Sequence, residues 1–134
     1  MLSLQEIFDK GLAHIRQQGA PSMEGSSCKY LCENGNSCVV GGLMLPELRS
    51  SNFDAADCTT VRTMASGGQA ERGFVYALAK SGVNTRGGGV LDLLAEMQMC
   101  HDSASSHGGA FIEHFEATMS QTAKRLGLVY KAAL

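Results

Sequence analysis

Charge is scarce in this 134-residue chain: Asp, Glu, Lys and Arg together make up 18% of it, hydrophobic residues 44%, and the formal net charge is −2. The eleven basic residues are scattered, so there is no stripe to track a phosphate backbone, and there is no acidic run to imitate one. Nor does any segment approach the roughly 20 consecutive apolar residues of a membrane span. The opening MLSLQEIFDKGL carries acidic residues where a signal peptide would be apolar. These absences predict a soluble, cytoplasmic protein without a membrane segment or a strong affinity for nucleic acid. A surface so poor in charge is either neutral and polar or reserved for a partner. With no internal repeat and no stretch long enough to be a linker, residues 1–134 read as a single domain.

Glycine and cysteine are what the chain has in quantity. Sixteen glycines fall largely in clusters, at Gly41-Gly42, Gly67-Gly68, Gly87-Gly88-Gly89 and Gly108-Gly109, each marking a break between ordered segments. Between the breaks, helices are predicted. Ser3-Leu4-Gln5-Glu6 has the form of a capping box, and Leu4, Ile7, Phe8, Leu12 and Ile15 then share one helical face as far as Gln18, before Gly19 and Pro21. A second helix is expected over 69–80, burying Phe74, Val75 and Leu78. A third carries Val90, Leu93, Leu94, Met97 and His101 at helical spacing, and a fourth, over 109–126, buries Phe111, Phe115, Met119 and Leu126. Residues 50–68 read as an extended polar loop with one helical turn, and Leu128-Val129-Tyr130 as a tail folding back on the core. Asn34-Gly35 signals a hairpin with strands near 28–32 and 36–40. A two-residue loop would set Cys32 against Ser37; a three-residue loop, Glu33-Asn34-Gly35, would set Cys32 against Asn36 and bring Cys28, Tyr30, Cys32 and Cys38 to one face. The expected class is α+β, mainly α: four to five helices packed with one β-hairpin.

Three chemistries compete for the cysteines. Five thiols in a reducing compartment are ligands or free groups rather than disulfides. A zinc site would draw on Cys28, Cys32, Cys38 and His101, although no second CxxC or HxxxH pair follows. A thiol enzyme would use Cys38, ahead of Val39-Val40-Gly41-Gly42, with His101 as base and Asp102 beside it. Adjacent helical residues point about 100° apart, so Asp102 is not expected to orient the His101 ring. Otherwise the thiols are small buried hydrophobes. His14, His107 and His114 read as surface or helix-face residues, Glu113 and Glu116 as complements to a helix dipole, and Met44, Met64, Met97, Met99 and Met119 as core filler. Gly87-Gly88-Gly89 lacks the Lys-Ser/Thr pair of a P-loop.

In that order, LQEIFDKGLAHIRQQG, CKYLCENGNSCVVGGLM, LLAEMQMCHD and the closing amphipathic helix resemble a family of small phage and prophage accessory proteins. Its pattern is a C-x-Y hairpin with a Gly turn, a C-x-V-G stretch and a helix ending L-Q-x-x-H-D. The resemblance implies that Cys28, Tyr30, Gly35, Cys38, Gly41, Gln98, His101 and Asp102 form one framework. The chain departs from it at Leu31-Cys32, where Arg-Gly usually stands, which marks Cys32 as an individual addition. No activity comes with the family. Its setting implies a binding protein that blocks a host or antiviral-defence complex, anti-CRISPR-like, by steric occupation through a helix face or the 50–68 loop.

Overall fold

A computed structural model describes the chain except for Asp57, Gly67, Gly68 and Leu134, with the backbone alone at 69–72. Among the described residues, six α-helices surround one apolar core: α1 Leu4–Gln18, α2 Val39–Leu43, α3 Val61–Met64, α4 Gln69–Lys80, α5 Val90–Ala104 and α6 Phe111–Leu126. A two-stranded hairpin, β1 Met23–Glu24 with β2 Ser27–Cys28, completes the mainly α, α+β architecture that the periodicities predict. Among the described residues no helix is long and apolar enough to cross a membrane.

Helix α1 begins where the sequence says it should. The Ser3 side chain accepts from Glu6 N–H, the Glu6 carboxylate accepts from Ser3 N–H, and left-handed Gly19 closes the helix. Its stripe of Ile7, Phe8, Leu12 and Ile15 is buried against α2 and α5. Each such side chain contributes about 2 kcal/mol by leaving water. Helix α5 brings Leu93, Leu94 and Met97 to the same core, and α6 packs along α5 with Phe115 and Met119. Leu126, expected on the buried face of α6, is partly exposed at its last turn.

The hairpin is not where Asn34-Gly35 puts it. The paired strands lie upstream, Met23 opposite Cys28 and Glu24 opposite Ser27, around a Gly25-Ser26 turn with Gly25 at φ 62°. The Asn34-Gly35 loop does form, with three residues: Cys32 N–H donates to Asn36 O at 2.8 Å, and Leu31 bridges Ser37. No second strand follows it, because Cys38 becomes the N-cap of α2 and accepts from Gly41 N–H.

Helix α2, Val39–Leu43, has poor intrinsic helicity with two glycines in five residues, so packing must hold it. The glycines permit that packing. A Cβ on Gly41 would lie 2.5 Å from the Tyr30 carbonyl oxygen, and one on Gly42 would lie 2.1 Å from the His14 ring. His14 is therefore no bare surface residue; it is half-buried and within 3.0 Å of Ser37 O. Residues 50–68 are less open than their composition suggests. A 3₁₀ turn at Ser51–Ala55 and helix α3 bury Phe53, Val61 and Met64. Tyr30, Phe53 and Phe74 meet edge to face with centroids 5.3–6.3 Å apart. The Asp54 carboxylate accepts from the N–H groups of Tyr30 and Leu31, tying this segment to the loop. The tail folds back as expected, with Leu128 and Tyr130 packed against the core and Val129 bonded to the Gln5 side chain of α1.

Candidate functional site

Helix α5 delivers three neighbouring polar side chains to one end of the fold. Gln98 and Asp102 stand four residues apart on one face, and Gln98 Nε2 donates to Asp102 Oδ1 at 3.0 Å. His101 is fully buried, and its Nδ1 lies 2.8 Å from the same oxygen. The expectation that adjacent residues are too divergent to pair is thus corrected. Asp102 does orient the ring, its Oδ1 within hydrogen-bond distance of Nδ1 despite the roughly 100° between neighbouring positions.

The other ring nitrogen decides what His101 can do. Nε2 accepts from the backbone N–H of Ser22 at 2.9 Å. An acceptor at Nε2 requires the proton on Nδ1, which is donated to Asp102. Both nitrogens are spent, leaving no lone pair for a metal or for a substrate proton. Ser22, which the sequence reading passed over, is the centre of this arrangement. It is fully buried, and its hydroxyl reaches Lys29 O at 2.6 Å and lies 3.2 Å from Cys32 Sγ.

Cys28, His101 and Asp102 bring one ligand atom each within 4.8 Å of one another, the one such group among the described residues. Cys32 and Cys38 stand outside it, so the zinc set Cys28, Cys32, Cys38 and His101 is not assembled. A structural zinc takes four ligands, almost always thiolate or imidazole; the group here has three residues, with the His101 nitrogen already protonated. The residues do not fit that metal.

The proposed nucleophile fares no better. Cys38 is fully buried as the α2 cap, and burial pushes its thiol up to about 12. Cys28 is half-buried beside Ser105 Oγ at 3.3 Å, and burial raises its thiol too. Neither is an activated thiolate. Cys100 is buried against Thr122. Cys58 alone of the five is exposed, and the Thr60 backbone N–H, with the Thr63 and Thr60 hydroxyls, holds its thiol below the usual range.

Around Asp102 the surface opens on two sides. Between α3 and α5 runs a groove of about 400 Å³, walled by Thr60, Val61 and Arg62 on one side and by Ala95, Gln98, Met99, Asp102 and Ser103 on the other. Met99 is no core filler: it is 66% exposed in this groove. The buried stripe Leu93, Leu94, Met97, Cys100 and Ala104 leaves it off the core face, a signal that the periodicity contains. On the other side of Asp102 lies a cleft of about 90 Å³ lined by Cys28, Tyr30, Thr59, Thr60 and Gln98, with Lys29.

Compared with protein-family models, with curated proteins and with solved structures, the chain matches none.

Proposed function

We propose that the chain is a phage-encoded accessory protein that acts in the host cytoplasm, binding a host or antiviral-defence protein, anti-CRISPR-like, and blocking it by occupying its surface. The observation that carries this reading is the groove between α3 and α5, with Met99 66% exposed along it. A large flexible apolar side chain held out of the core beside an apolar trough is a contact surface rather than a packing residue. One wall is a face of α5 and the other is the 60–62 part of the 50–68 segment, which makes both surfaces available for steric occupation. The phage setting rests on the sequence resemblance. The raised thiols of Cys38 and Cys28 and the fully bonded His101 favour binding over thiol catalysis by Cys38 with His101.

The test is phage plating on bacteria that express the protein alongside an active defence system, CRISPR effectors first. Plating should rise by orders of magnitude with the natural chain and fall back with Met99→Lys, at unchanged thermal stability. A panel of defence systems in which plating never rises would overturn the reading.

A further inference from the structure

We propose that the partner fills this surface with a protein segment that places a basic side chain, arginine or lysine, on Asp102 and a large apolar side chain beside Met99. This rests on the groove being the binding surface and adds the chemistry of its occupant.

Asp102 is a fixed charge. Its Oδ1 accepts from His101 at 2.8 Å and from Gln98 at 3.0 Å, and His101 is itself pinned by Ser22. Its side chain is nevertheless 46% exposed. A carboxylate ordered before binding loses little freedom when a cation arrives. It is also the uncompensated charge of the groove. Arg62 Nη2 is paired with Asp92 at 2.6 Å, and no Lys or Arg among the described residues forms an ion pair with Asp102, Lys29 of the adjoining cleft included.

Position and shape add to this. Asp102 stands where the apolar groove and the small cleft meet, belonging to the lining of both. The cleft's 90 Å³ is about three waters' share of liquid volume, enough for a guanidinium or ammonium head. Two of its other polar groups are engaged: Tyr30 OH donates to Thr59 O, and Gln98 Oε1 accepts from Val40 N–H. A cation at Asp102 thus extends an apolar neighbour along the groove over Val61 and Met99. Arginine suits the geometry best, with a planar donor fork for the carboxylate and an apolar stem for the groove.

The test uses two peptides, acetyl-Ala-Leu-Arg-Leu-Ala-amide and the same peptide with citrulline for arginine. They are titrated into the ¹⁵N-labelled full chain and followed by amide shifts. The arginine peptide should move Thr60, Gln98, Met99 and Asp102 and bind at least about fivefold more tightly than the citrulline peptide. Asp102→Asn, which keeps the acceptor for His101, should bring the two peptides level, whereas Glu113→Gln on α6 should not. Equal binding of the two peptides, shifts elsewhere, or no binding at millimolar concentration would overturn the proposal. Plating separates it from the reading beneath it. Loss with Met99→Lys but not with Asp102→Asn removes the cation and keeps the groove; indifference to both variants removes the groove.

Discussion

The chain is fastened to its helices in two places, by means that differ in kind. The segment from Ser22 to Ser37 meets α1 and α5 through neutral groups largely out of water: Ser22 N–H on His101, and Ser37 bracketed by His14 and Gln18 of α1. The C-terminal tail is held on the surface, largely by charge. Arg16 of α1, paired with Glu116 of α6 by two bonds of 2.5 and 2.6 Å, donates to Lys131 O at 2.8 Å, Tyr130 OH donates to the same carboxylate, and Gln5 pairs with both backbone groups of Val129. A buried neutral bond adds little net stability when made and costs much when half of it is removed, whereas a half-buried ion pair still in reach of water is weaker and partly screened by salt. The first grip should therefore be brittle and the second adjustable.

The largest expected effect comes from breaking the first. His101→Ala leaves the Ser22 N–H buried without an acceptor and opens a void beside Phe111, and should cost about 4 kcal/mol in urea unfolding. It should also expose Cys32, which lies against Ser22, to thiol reagents before global unfolding. Gly41→Ala should cost about 3 kcal/mol, because backbone and not a flexible side chain stands 2.5 Å from the new Cβ. Arg16→Ala, on α1 beneath the tail, should cost about 1 kcal/mol, and that loss should shrink near 1 M salt while the other two hold. Three equal costs, or three equal salt dependences, would abolish the distinction.

The smallest effects are in pH, and they fall in different windows. Burial, with the Arg49 charge adding to it, holds His14 below its ordinary value near 6.5. The unfolded chain therefore takes up a proton that the folded chain refuses, and stability declines as pH drops below about 6.5. His14→Gln should flatten that slope in denaturation series between neutrality and pH 5. Glu116 is also held low, chiefly by Arg16, and its contribution is present above the usual carboxylate range. It disappears only as pH falls below about 4.5 and through the lowered value, so Glu116→Gln should alter the slope only in a series carried below the His14 window, under pH 4.5.

Helix α1 was legible to the residue, because capping box, apolar stripe and terminal glycine all agree on its limits. The three-residue loop at Asn34-Gly35 was legible as one of two registers. The strand positions were not: Asn-Gly is the stronger turn signal, but the Gly25-Ser26 turn has a partner strand on each side, while Cys38 leaves the ladder to cap α2. In the candidate site, Gln98, His101 and Asp102 could be named from the sequence. Their partner Ser22 could not, since a backbone N–H carries no sequence signature and sits 79 residues away. That contact also reassigns His101 from chemistry to support. Residues 50–68 looked polar and loose because three apolar side chains, Phe53, Val61 and Met64, are too widely spaced to show a period, yet each is buried.

The exposed sulfur of Cys58 gives the molecule a built-in reporter. It sits 3.6 Å from the Thr60 hydroxyl on the groove wall, and its lowered thiol should couple to a maleimide dye at neutral pH ahead of the other four cysteines. A dye placed there changes its emission when the trough beside it fills. Candidate partners can then be ranked by fluorescence titration of the natural chain, with no residue altered.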